Sequence, residues 1–164
     1  MTYYVFIDSQ NVYHTSKKLG TTMDYGKLMK HLKDEFGHVS VIAYVLTGTD
    51  ASFEKALRSF GYRLVFHEGI NRADGTCKAD ADVQITVDIM DYMKKRDCDG
   101  IILITNDGDF APLARRVHRD TTFFLYCVPR FSGHKLVQEC PDNVDFSKFM
   151  KSPRSGASRG GFSE

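Results

Sequence analysis

Aspartates are the residues of this 164-residue chain whose type and spacing could do chemistry: its 21 acidic residues are sixteen Asp and only five Glu. Surface helices favour Glu, because Asp hydrogen-bonds to nearby backbone and disfavours helix interiors. Surplus Asp therefore belongs at caps, at turns or around a cation. Three acidic stations stand out: Ile7-Asp8-Ser9-Gln10-Asn11, Lys78-Ala79-Asp80-Ala81-Asp82, and Thr105-Asn106-Asp107-Gly108-Asp109. Carboxylates gathered within a few ångströms repel one another unless a cation sits among them. A hard divalent ion meets that need, since Mg²⁺ binds carboxylates and water and keeps positions open for phosphate oxygens. Such an ion can activate water and stabilise a leaving oxygen, the requirements of phosphodiester hydrolysis.

The elements that must position these stations follow from the hydrophobic pattern. Strands are expected at Tyr3–Ile7, Val39–Leu46, Arg63–His67, Gly100–Thr105 and Thr122–Val128, each rich in β-branched or aromatic residues. Helices are expected near 10–19, 25–36, 50–60, 80–95 and 109–119. Near-continuous apolar runs such as Ile101-Ile102-Leu103-Ile104 read as strands buried on both faces, which requires a parallel sheet covered by helices. The expected fold is a three-layer α/β sandwich with a parallel five-stranded sheet in the order 3-2-1-4-5. Ligands in such sheets bind beyond the carboxyl ends of the strands, where the strand order reverses. That rule sets Asp8 opposite the pair Asp107/Asp109. In the last helix, Pro112 fits a first turn that begins near Asp109.

Composition excludes several alternatives. With 42% hydrophobic and 26% charged residues the chain is neither disordered nor membrane-embedded in type, and no apolar run approaches the ~20 residues of a membrane span. The four cysteines form no C-x-x-C pair and the six histidines no H-x-x-x-H pair, so reduced thiols and no structural zinc are expected; the lack of a membrane span and of a leader-like start sets the cytoplasm as the expected compartment. The net charge of +1 carries no global signal for nucleic acid. Residues 1–151 read as one domain and 152–164, holding Ser, Gly and Arg, as a flexible tail. Association into a homo-oligomer is left open by the sequence.

The three stations, in this order, resemble the signatures of NYN-domain proteins of the LabA-like group, relatives of PIN nucleases. The resemblance covers roughly residues 3 to 148 and rests on Phe6-Ile7-Asp8-Ser9-Gln10-Asn11, on Lys78-x-Asp80-x-Asp82-Val83 with Asp88 beyond it, and on Thr105-Asn106-Asp107-Gly108-Asp109-Phe110. It implies a PIN-like fold, a Mg²⁺ or Mn²⁺ cofactor and endoribonuclease activity on RNA. Asp8, Asp82, Asp107 and Asp109 match the acidic residues that hold or position metal and its water, and Asn11 the asparagine that supports the pocket. The last motif usually reads Ser-Gly-Asp-Ser-Asp-Phe in the family. Here Thr105 keeps the first hydroxyl, Asn106 replaces the glycine and Gly108 removes the second hydroxyl.

Each assignment has a plainer structural counterpart. Asp8 and Asp109 both stand where helix N-caps are expected, Asp82 near a helix start suits the macrodipole, and Tyr13 reads as core rather than as a base-stacking platform. Lys78, Arg115 and Arg130 are candidate phosphate contacts for RNA, against a reading as solvated surface. The alternative function is a catalytically weak RNA- or protein-binding regulatory module on the same fold. A haloacid-dehalogenase-like phosphatase is disfavoured, because Gln10 breaks its D-x-D pattern.

Overall fold

The computed structural model describes residues 1–71, 73–74, 77–78 and 81–152; beyond Ser152, the expected tail lies outside the described residues. The chain begins with β1 (Thr2–Asp8), α1 (Ser9–Leu19), β2 (Thr22–Met23), α2 (Tyr25–Phe36), β3 (Val39–Leu46), α3 (Ala51–Ser59) and β4 (Arg63–His67). A short antiparallel pair follows, β5 (Ile70–Asn71) with β6 (Cys77–Lys78). The remainder runs α4 (Asp82–Tyr92), β7 (Cys98–Ile104), α5 (Ala111–Asp120), β8 (Phe123–Cys127), α6 (His134–Glu139), β9 (Val144–Asp145) and β10 (Met150–Lys151).

The main sheet is wholly parallel in the order β4-β3-β1-β7-β8-β9. Its five long strands keep the order expected from the sequence. The expected count of five needs correction to six, because β9 pairs with β8 through Val144 and Asp145. A two-residue edge strand has too little length to show a period of two, so no pattern announced it. Strand order reverses on either side of β1, and the register sets Ile7 beside Ile104 of β7 and Asp8 beside Tyr44 of β3.

Alternation along the strands divides the core into two. On one face Tyr4, Phe6, Ile101 and Leu103 pack with Ile85 and Ile89 of α4 and with Ala114 and Val117 of α5. On the other, Val5, Ile7, Ile102 and Ile104 pack with Val12 of α1, Leu28 and Leu32 of α2 and Leu57 of α3. The result is the expected three-layer sandwich. Every residue from Ile101 to Ile104 is completely buried, each side chain contributing about 1.5–3 kcal/mol relative to exposure. This places a rigid strand end under Asp8 and another just before the turn that carries Asp107.

The helix expected over 109–119 divides in two. A 3₁₀ turn spans Gly108–Phe110, and α5 starts at Ala111 with Pro112 in its first turn. The cap of that turn is Asp107, whose Oδ1 accepts from the Asp109 N–H at 2.9 Å, so the capping role assigned to Asp109 belongs to its neighbour. Tyr13 also departs from expectation: it is 50% exposed on α1, outside the core. No helix among the described residues is long and apolar enough to cross a membrane.

Candidate metal centre at the strand ends

Asp8 ends β1 and caps α1, accepting from the Asn11 N–H at 3.5 Å through Oδ1. That length is the far limit of a hydrogen bond, so capping occupies one oxygen only weakly. The other oxygen, Oδ2, accepts from Thr105 Oγ1 at 3.2 Å. Thr105 is the first residue past β7, and its hydroxyl also accepts from the Asp107 N–H at 3.1 Å. One threonine hydroxyl therefore links the Asp8 carboxylate to the backbone of Asp107.

Asn106 ties the neighbourhood together. Its Nδ2 donates to Thr15 Oγ1 at 2.6 Å, and its Oδ1 accepts from the Val128 N–H at 2.6 Å and from Ser132 Oγ at 2.8 Å. Its backbone N–H donates to Asn11 Oδ1 at 2.7 Å, and its carbonyl accepts from the Gly133 N–H. Asn11 thus reaches both sides of the pocket, its backbone to Asp8 and its side chain to the residue before Asp107. The side chain at position 106, a departure from the family pattern, binds α1, the end of β8 and the following loop to one point. No sequence signal short of knowing these three distant segments could have found it.

Gly108 has its own physical reason. A Cβ there would lie 2.9 Å from the Gly133 Cα, and a Cβ on Gly133 would lie 2.3 Å from the Gly108 Cα. The two backbones touch, and neither position admits a side chain without movement. A serine at position 108, which the resemblance leads one to expect, has no room beside Gly133.

Asp82 arrives from the opposite layer, in the first turn of α4. The carboxylates of Asp8, Asp82 and Asp107 each offer one oxygen, and the three oxygens lie within 4.8 Å of one another. Asp8 is buried and the other two are half-buried. Two oxygens on a single Mg²⁺ are at most about 4.2 Å apart, so small side-chain rotations suffice for all three to share an ion. The donor set is purely carboxylate oxygen, which suits hard divalent ions over soft ones. Asp109 stands exposed, outside this trio.

The other candidates distribute as follows. Arg115 is exposed and pairs with Glu139 of α6 at 2.9 Å. Arg130 is exposed and lies over the Phe131 ring at 4.9 Å. Lys78 contributes backbone to β6, its side chain falling outside the described part, as Asp80 does altogether. Asp88 accepts from the Tyr44 hydroxyl at 2.6 Å and from Gln84 at 2.8 Å. Burial, then the hydrogen bond to Asp88, pushes the Tyr44 phenol far above its ordinary range, so it stays protonated and donating. Asp88 is engaged in packing α4 onto β3.

The chain matches the family model of the NYN domain over residues 2–147. The chain belongs to the NYN domain family. Among solved structures it is similar to a protein of unknown function, VPA0982 from Vibrio parahaemolyticus RIMD 2210633. The two share 29% sequence identity with a TM-score of 0.78, over 92% of this chain and 96% of the other. No protein of curated function matches the chain significantly. The NYN assignment carries with it a PIN-like α/β fold, and the acidic trio sits at the reversal point of that fold's sheet.

Proposed function

We propose that this NYN domain is a divalent-metal-dependent endoribonuclease of the LabA-like group, hydrolysing RNA phosphodiester bonds at Asp8, Asp82 and Asp107. The observation that carries the reading is the convergence of three carboxylate oxygens within 4.8 Å. Like charges so close, one of them on a buried residue, call for a cation. When bound, Mg²⁺ or Mn²⁺ would supply an activated water and charge neutralisation at the scissile phosphate.

The chain's own residues do the positioning. Thr105 Oγ1 donates to Asp8 and accepts from the Asp107 backbone, fixing the spacing of two ligands. Asn11 supports both strand ends. Asp109, exposed beside Asp107, is assigned to hold water at the edge of the site rather than to ligate directly. Arg130 and Lys78 are assigned to RNA phosphates together with Arg115, whose pairing with Glu139 would have to open. The proposed partner is RNA, and the proposed setting is the cytoplasm.

The test is cleavage of end-labelled single-stranded and hairpin RNA in Mn²⁺ or Mg²⁺ by the native protein, Asp8→Asn and Asp107→Asn. Native turnover that falls more than about a hundredfold in each variant is expected, since loss of a ligand exceeds the 10–100-fold cost of losing its support. Cleavage that survives both substitutions, or that never occurs with any divalent ion, would overturn the reading. Metal-stimulated RNA binding without cleavage would instead favour a regulatory module on the same fold.

A further inference from the structure

A cleft of about 830 Å³ opens next to Asp8, whose chain neighbour Ser9 lines it, on the face of the sheet covered by α1, α2 and α3. Its volume lies within the range of small-ligand sites. Its walls include Ser9, Tyr13, Lys17, Tyr25, Thr49 and Phe53. Ser9 directly follows Asp8, and the cleft floor includes Val45 and Leu46, the last two residues of β3, just beyond Tyr44, the register partner of Asp8. Cleft and trio therefore share one edge of the sheet.

The walls combine aromatic faces with polar groups in the way a nucleoside requires. Tyr25 meets Phe53 edge-to-face at 5.6 Å and Tyr62 at 5.6 Å, and the Tyr62 hydroxyl donates to the Tyr25 carbonyl at 2.7 Å. These contacts hold the inner aromatic wall rigid. Tyr13 stands half-exposed at the mouth, with Lys17 Nζ 5.1 Å from its ring centroid. Ring and ammonium thus come as a unit, one suited to a base and the other to a phosphate. Ser9 is only 7% exposed, and its Oγ makes no hydrogen bond of normal geometry. Burial raises the Tyr25 phenol far above its ordinary range, with the Ser9 hydroxyl pulling it down and the charge of Asp8 adding to the rise. Tyr25 thus remains a donor, within electrostatic reach of Asp8.

We propose that this cleft is a nucleoside subsite, taking one base and its ribose from a single-stranded RNA whose neighbouring phosphate lies at the acidic trio. The inference rests on the reading of the trio as an RNA-hydrolysing centre and adds where the substrate is gripped. Stacking on Tyr13 and the inner aromatics supplies affinity tolerant of base identity. The Ser9 and Thr49 hydroxyls supply hydrogen bonds to the ribose or base edge. Double-stranded RNA, whose bases are paired and stacked, cannot deliver a base to the cleft without opening.

The experiment measures binding by fluorescence anisotropy, in Ca²⁺ and in EDTA, of a labelled single-stranded oligoribonucleotide and of the same oligomer with abasic residues throughout. Native protein is compared with Tyr13→Ala, Tyr13→Phe and Ala56→Trp, the last filling the cleft from an exposed position on α3. Tyr13→Ala and Ala56→Trp should weaken binding of the base-bearing RNA by about five- to a hundredfold, the worth of one stacked base. Tyr13→Phe should bind as the native protein does, and all four proteins should bind the abasic oligomer alike. Native-like affinity in both Tyr13→Ala and Ala56→Trp, an equal loss on the abasic oligomer, or no RNA binding at all would overturn the subsite. Base-dependent binding without turnover would keep the subsite and overturn the nuclease reading. Turnover indifferent to Tyr13→Ala and Ala56→Trp would do the reverse.

Discussion

The two walls of the acidic centre are built differently. Asp8 and Asp107 stand at the ends of neighbouring strands and are joined through Thr105, Asn106 and Asn11 by hydrogen bonds of 2.6 to 3.5 Å. Asp82 stands on the opposite wall, in the first turn of a helix whose N-cap, Ala81, supplies no side-chain hydrogen bond. The first wall has its spacing set by the sheet and its network before any ligand arrives. The second is delivered by a helix start, held by the packing of Ile85 and Ile89 against Tyr4 and Phe6. Preorganisation of this kind is what fixed charge stabilisation requires. The difference teaches that the strand wall sets the geometry while the helix wall completes the charge.

Breaking the strand wall should have the largest effect. Asn106→Leu removes the acceptor of the Val128 N–H and the partner of Thr15 and Ser132 at a buried point. Orphaned buried groups cost ~1–3 kcal/mol each, so a loss of about 3 kcal/mol is expected, or roughly 6–12 °C in Tm for a chain of this size. Thermal unfolding followed by circular dichroism checks this, and an unchanged Tm would show that the network adds little.

A subtler break lies at the contact between glycines. Gly108→Ser restores the family's residue, yet its Cβ would meet the Gly133 Cα at 2.9 Å. The variant should lose about 1–3 kcal/mol through overpacking and cleave RNA no faster than the native protein. A gain in turnover would mean that the missing hydroxyl, rather than the backbone contact, limits the site.

The smallest expected effect sharpens the boundary of the trio. Asp109→Asn should lower turnover by less than about tenfold, in keeping with an outer role, while preserving the backbone bond from position 109 to Asp107. A loss as deep as that of Asp107→Asn would make Asp109 a full ligand.

Much of this organisation was legible in the residues. Runs such as Ile101–Ile104 declare strands buried on both faces, and the reversal of strand order then places Asp8 opposite Asp107 without further information. What stayed hidden depends on partners far away in sequence. Asn106 looks like a lost glycine until Thr15, Val128 and Ser132 are seen around it. Gly108 looks like a lost serine until Gly133 is found against it. Tyr13 falls beside the apolar stripe of α1 but is half-exposed at the mouth of the cleft, with the Lys17 ammonium over its ring. Asp107 and Asp109 both suit a cap by type, and only the local backbone decides that Asp107 takes it.

The most direct measurement of the central claim is Mn²⁺ binding, followed by electron paramagnetic resonance, in the native protein, Asp8→Asn and Asp82→Asn. If three carboxylates from two walls share a cation, Asp82→Asn should weaken Mn²⁺ binding at least about tenfold, as Asp8→Asn does. Native-strength binding in Asp82→Asn would contradict a shared ion and confine the metal to the strand wall.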